Sequence, residues 1–155
     1  WAWVGPSGAM SNGLIAAATL LKFPLKLAVP GPAKPHPDLL AKAIDAGANV
    51  VVTHDPVEAV TGAHVVLTDR WPLDSGEHPH LARNRLLPFQ VNPVLLQHAA
   101  DDHLVLHPLP AHRGEEITDD VLEGRHSVVF QQAGNRLCVQ QAILEWLLDV
   151  DRSAA

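Results

Sequence analysis

The sequence predicts an α/β domain of three layers, with a mainly parallel sheet of about five strands between helices. Three observations lead there. Short apolar runs bounded by turn residues recur along the chain; stretches with a period near 3.6 residues separate them; and the runs are apolar throughout instead of alternating, as befits strands covered on both faces. In order, residues 1–4 form a first strand closed by Gly5-Pro6, and residues 11–21 an apolar helix. Residues 25–29, between Pro24 and Pro30, form the second strand, and residues 37–46 a helix opening on proline. Residues 50–53 are the third strand, 56–61 a short helix and 65–68 the fourth strand. Residues 69–88 are polar and irregular, long for a loop and so a place to look for function. A helix over 93–99 precedes a strand over 104–106; a weaker apolar run follows at 128–130. The last helix, 136–148, gathers Leu137, Ile143, Leu144, Leu147 and Leu148 on one broad face, fit to pack on this domain or on another.

The chain has 155 residues, enough for one domain with its own core. A formal charge of -6 without a basic cluster argues against nucleic acid as a partner. No apolar run approaches the roughly 18 residues of a membrane span. Cys138 is the one cysteine and has no internal disulfide partner, so a reducing, cytoplasmic setting is expected. The opening Trp1-Ala2-Trp3-Val4-Gly5 has no signal-peptide pattern and reads as a strand inside something longer.

In an open parallel sheet, ligands bind beyond the carboxyl ends of the strands. Those positions hold Gly5-Pro6-Ser7-Gly8, Pro30-Gly31, His54-Asp55, Asp69-Arg70-Trp71 and His107-Pro108-Leu109-Pro110. The first lacks the G-x-G-x-x-G spacing, and the second strand ends on Val29-Pro30 without an acidic residue, so no nicotinamide cofactor is expected. Asp69 either receives a substrate ammonium or serves locally, as a cap on its loop or a partner of Arg70. His107 is either a hydrogen-bonded rim residue or part of a site. Around it, Pro108 and Pro110 hold the backbone extended and leave carbonyls free for an amide or amine donor. Ten histidines raise the question of metal, but there is no H-E-x-x-H and no cysteine pair, and His78-Pro79-His80 reads as a solvated loop. Neither a G-x-S-x-G elbow nor a phosphate loop is present.

Residues His107 to Glu116, HPLPAHRGEE, resemble the H-C-L-P-A-H-R-G-E-E segment of ornithine carbamoyltransferases. Phe89-Gln90-Val91-Asn92 is similar to that family's Y-Q-V-N, Asp69-Arg70-Trp71 to its D-x-W, and Ser127-Val128-Val129-Phe130 with Asn135-Arg136-Leu137 to its S-V-V-F…E-N-R-L. In order and spacing, these motifs cover nearly the whole chain. The resemblance implies a Rossmann-like, amino-acid-binding half over residues 1–155, with the carbamoyl-phosphate half and its S-T-R-T and H-P-x-Q motifs absent. It implies transfer of a carbamoyl group from carbamoyl phosphate to an uncharged amine, without cofactor or metal. By position, Asp69 would hold the substrate ammonium, Pro108 and Leu109 would offer carbonyls to the reacting nitrogen centres, Arg136 would stabilise carbamoyl phosphate oxygens, and His107 would support that site. The complete protein would be a homotrimer, and this half alone would not turn over.

Departures from the family pattern bear on specificity. Its G-D-G-N-N-x-x-N-S-L is here Gly5-Pro6-Ser7-Gly8-Ala9-Met10-Ser11-Asn12-Gly13-Leu14, so Asn12 is kept while the carboxylate-holding asparagine is replaced, by Ala9 in this alignment. Its D-x-W-x-S-M-G is Asp69-Arg70-Trp71-Pro72-Leu73-Asp74-Ser75-Gly76, which loses Ser-Met and with it a second grip on the amino acid, while Ser75 is kept as a candidate contact of that loop. Its H-C-L-P cysteine is Pro108, as in the H-P-L-P of aspartate carbamoyltransferases. Ornithine is the expected substrate, with aspartate, putrescine or an acylated ornithine as alternatives, and a non-catalytic binding or assembly paralogue as a further one.

Overall fold

A computed structural model describes residues 1–31, 33–72 and 79–148. Five strands, β1 (Ala2–Val4), β2 (Leu25–Ala28), β3 (Val50–Thr53), β4 (Val65–Leu67) and β5 (Leu104–Leu106), form one sheet in the order β3-β2-β1-β4-β5. Every pairing is parallel, as the non-alternating apolar runs require. Strand order reverses at β1 and β4, so the crevice above those two strands is where such a sheet takes a ligand.

Successive residues of each strand supply opposite cores. On one face, Val4, Ala28, Val66 and Val105 pack with Ala59 and Val60 of α3 (Pro56–Val60), Leu95 of α5 (Pro93–Leu96), and Val121 and Leu122 of α6 (Asp119–Leu122). On the other, Trp3, Leu27 and Leu67 pack with Ile15 and Ala18 of α1 (Ala9–Leu21) and Ala43 of α2 (Pro37–Asp45). The three-layer arrangement of about five strands read from the sequence is the one observed.

Several boundaries move for local reasons. Helix α1 starts at Ala9, two residues early, because the Ser11 hydroxyl accepts the Gly8 N–H at 2.9 Å and donates to the Gly8 carbonyl at 3.0 Å. The run at 128–130 is not a strand. The preceding Ser127 makes an isolated parallel bridge with Val105, the Val128 N–H donates to the Val105 carbonyl, and the chain then turns into α7 (Val129–Leu147), whose first helical bond runs from the Gln132 N–H to the Val128 carbonyl. Three apolar residues followed by helix-forming glutamine and alanine carry no turn signal, so helix wins. Helix α7 therefore begins seven residues before the expected 136. In the stretch read as irregular, 69–88, Pro79–Leu86 forms α4, and a 3-10 turn over Leu87–Phe89 runs one residue past it, the two anchored by the buried Ala82, Leu86 and Phe89. The expected helix at 93–99 shortens to α5 because the His98 and Ala99 amides bond three residues back. No helix among the described residues is long and apolar enough to cross a membrane.

Candidate functional site

The site begins where β4 and β5 end. Leu67 pairs in register with Leu106, so Asp69 and Pro108 each stand two residues beyond the last paired position, on neighbouring strand ends. Gly5 closes β1 beside them at φ +132°, where a side chain is strained, and a Cβ there would touch the Thr68 hydroxyl oxygen at 3.5 Å. Thr68 and Trp71 are buried, yet Thr68 Oγ1 and Trp71 Nε1 have no partner; Ser7 Oγ and Asn12 Oδ1 share that state. Unsatisfied buried polar atoms are uncommon in folded proteins, and four of them lie just past the carboxyl ends of β1 and β4 or in the first turns of α1.

The rim at 107–110 is built around His107, whose side chain is fully enclosed. Its Nδ1 accepts the Leu109 N–H at 2.9 Å, its Nε2 lies 3.2 Å from Glu116 Oε1, and its backbone N–H donates to Gln132 Oε1 at 3.1 Å. Leu109 adopts φ +57°, and the Leu109–Pro110 peptide is cis. The expected extended rim is thus corrected at Leu109. The imidazole draws the Leu109 amide back on the ring, and the chain turns through the left-handed region that a bulky residue rarely enters.

Glu116 is 0% exposed. Its Oε1 also accepts the His112 N–H at 2.6 Å, while Oε2 has no partner. Burial alone would raise its carboxyl, but the His107 hydrogen bond and the backbone N–H groups of His112 and Glu116 outweigh that and hold it below the ordinary carboxylate range. Behind it, Gln90 Nε2 donates to the Gly114 and Glu115 carbonyls at 3.1 and 2.9 Å, and the Val91 N–H donates to the Glu116 carbonyl at 2.8 Å. The Phe89-Gln90-Val91-Asn92 motif is therefore the wall that seats the 112–116 turn, with Asn92 Oδ1 capping α5 through the Leu95 N–H. His112, Glu115 and Glu116 bring potential metal-ligand atoms within 4.8 Å of one another, but Glu116 is committed to His107 and His112, and His112 Nδ1 lies 3.4 Å from Glu115 Oε2.

The predicted residues fall into three places. Pro108 and Arg136 line one groove of about 650 Å³ with Met10, Leu106 and Gln132; Arg136 is exposed, and its side chain bonds to no other described residue. Asn12 lines a second, of about 480 Å³, with Ser7, Gly8, Lys34 and His36. Asp69 stands just past β4 and lines neither groove, its Oδ1 accepting the Arg70 backbone N–H at 2.8 Å. Ser75 lies outside the described residues, as does His78. Gln132 and Glu116 were not singled out in the sequence. Gln132 looks like any helical glutamine, and only the fold brings it, one turn before Arg136, to the His107 amide.

Helix α7 leaves its apolar face open: Leu137 is 73% exposed and Trp146 78%, with Ile143, Leu144, Leu147 and Leu148 also exposed. Among the described residues of this chain, nothing covers it.

Residues 1–147 match the family model described as the aspartate/ornithine carbamoyltransferase Asp/Orn binding domain. The ornithine carbamoyltransferase of Rhizobium meliloti is 43% identical over 147 residues, 95% of this chain and 48% of that protein, and that of Archaeoglobus fulgidus 45% identical over 148 residues, again 95% and 48%. In structure, the ornithine carbamoyltransferase of Pyrococcus furiosus superposes with a TM-score of 0.87 at 38% identity over 93% of this chain, and the anabolic enzyme of Campylobacter jejuni with 0.88 at 30% identity over 97%. The chain spans about half the length of the relatives it matches. With the family model matched over residues 1–147 and relatives 43% and 45% identical over 95% of its length, this chain belongs to the aspartate/ornithine carbamoyltransferase family, in its Asp/Orn binding domain.

Proposed function

We propose that residues 1–155 are the amino-acid-binding half of an ornithine carbamoyltransferase, which converts carbamoyl phosphate and L-ornithine to L-citrulline and phosphate, and that this half is incomplete alone. The observation that carries the reading is the placement of Asp69 and the Pro108–Leu109 carbonyls on adjacent strand ends at the sheet's switch point, with Arg136 lining the groove beside Pro108. The uncharged amine attacks the carbonyl carbon of carbamoyl phosphate; a C–N bond forms, the C–O bond to phosphate breaks with its electron pair going to the departing phosphate, and the nitrogen's proton passes to that phosphate. Asp69 holds the substrate's other ammonium, the rim carbonyls accept from the reacting nitrogen, and Arg136 faces the oxygens on which charge develops. Asn12 and Ser75 belong to the amino-acid side. Holding two small reactants together supplies much of the rest.

A second half, the carbamoyl-phosphate domain, would cover the open face of α7, and the complete protein is a homotrimer in this reading. We assign it to the cytoplasm and to arginine biosynthesis. Ala9 and Pro108, where the family pattern has asparagine and cysteine, favour as second reading an amine other than ornithine. The test joins this chain to a carbamoyl-phosphate-binding half of the family and measures kcat/KM over ornithine, acetylornithine, putrescine and aspartate. Preference for ornithine supports the first reading and preference for another amine the second; no ureido product with any amine from a folded protein rejects both and leaves a non-catalytic paralogue.

A further inference from the structure

We propose that Glu116 is a positioning residue of the rim: it fixes the His107 imidazole as the Nε2–H tautomer, so that Nδ1 stays free to hold the Leu109 N–H and thereby aims the Pro108 and Leu109 carbonyls. That these carbonyls serve a substrate rests on the function proposed above; the state of the ring does not.

Two contacts define the ring. Leu109 N–H can only donate, so Nδ1 at 2.9 Å must be its bare, accepting nitrogen. Glu116, as a carboxylate, can only accept, so Nε2 at 3.2 Å must carry the proton. The other neutral tautomer would set two N–H groups against each other at Leu109 and a lone pair against a carboxylate oxygen. Imidazolium would repeat the first clash. The tautomer in turn sustains the left-handed Leu109, a conformation unfavourable for leucine without an outside tether. Purely structural packing would not keep a carboxylate at 0% exposure with one oxygen unpartnered, since an apolar side chain fills such a place without desolvation cost. An acceptor-only group is what the ring needs. Glu116 is itself held by backbone, through the His112 N–H on its carboxylate and the Val91 N–H on its carbonyl, so the chain of positions ends in the domain's frame. Gln132, on the His107 N–H, ties the same rim to the helix that carries Arg136.

The test is imidazole 15N NMR of the 155-residue chain with hydrogen exchange at the Leu109 amide. The wild type should show His107 protonated at Nε2 only, with a protected Leu109 amide. Glu116→Leu removes the acceptor and should give mixed tautomers and Leu109 exchange about tenfold faster. Glu116→Gln retains an oxygen for Nε2–H and should restore both signatures. A wild-type ring protonated at Nδ1, a Glu116→Leu protein with unchanged ring and amide, or a Glu116→Gln protein that behaves like Glu116→Leu would each overturn the assignment; the first needs no variant to fold. Failure here leaves the amine panel untouched, and failure of that panel leaves the ring state standing.

Discussion

Replacing His107 with alanine removes more than a ring. The imidazole has no exposed surface and supplies both a hydrogen bond to Leu109 and the proton that faces Glu116. The neutral bond to Leu109 contributes about 1 kcal/mol, and the bond to a carboxylate about 2. The deeper loss is that Glu116 keeps its burial and its charge with only the backbone to answer it, and a buried charged group left short of a hydrogen bond costs about 3 kcal/mol or more. These estimates overlap, so the expected loss is about 4 kcal/mol in all, measured by urea unfolding at pH 7. For a chain of this length that lowers Tm by roughly 8–15 °C. A double-mutant cycle gives the sharper test: Glu116→Ala added to His107→Ala should cost less than the sum of the single changes by about 2 kcal/mol, because no buried charge is left behind. A loss under about 1 kcal/mol for His107→Ala, or strict additivity in the cycle, would refute the view that the pair is coupled.

Acid should act on the same pair. The Glu116 carboxyl is held below its ordinary value in the folded chain, so its contribution is complete above the unfolded value of about 4.3 and disappears as pH falls through the lower folded one; urea midpoints of the wild type should drop in that window and those of Glu116→Gln should drop less. Gly5→Ala places a side chain at φ +132° and should cost about 1–3 kcal/mol by the same assay, whereas Gly8→Ala, whose Cβ would meet nothing within 4 Å, should cost far less. Leu144→Ser on the open face of α7 should leave the stability of this chain within about 0.5 kcal/mol, yet weaken its association with the second half in a pull-down between purified halves. In the complete protein, Arg136→Ala should reduce turnover by about a hundredfold or more, and unchanged steady-state kinetics would remove Arg136 from the site.

The sheet was legible because its central strands β1 and β4 are covered on both faces and read as short apolar runs. The flanking strands keep enough valine and leucine to read alike, although Lys26 interrupts β2 and Val51 and Leu104 are exposed. The helix at 79–86 is not legible because, among its described side chains, Ala82 and Leu86 alone reach the core, too few to print a period. The run at 128–130 misled for a related reason: Val129 is buried like a strand residue, but it is the first turn of a helix laid against β5. At the site, the motifs single out Asp69, Pro108 and Arg136 as candidates, while the left-handed Leu109 and the inward Glu116 are hidden in the sequence. Both depend on contacts between residues separated by a turn, and a charged side chain in a run of charge reads as solvated until the fold turns it inward.

Carbamoyl transfer is measured most directly by following the carbamoyl carbon itself. The complete protein, with carbamoyl phosphate labelled at that carbon, is mixed with L-ornithine, and the label is followed by 13C NMR alongside phosphate release. Carbamoyl transfer at this rim should pass the label into a ureido carbon in step with phosphate, and Asp69→Asn should lose most of that transfer as the KM for ornithine rises. Phosphate released without a ureido product, or transfer indifferent to Asp69, would contradict it.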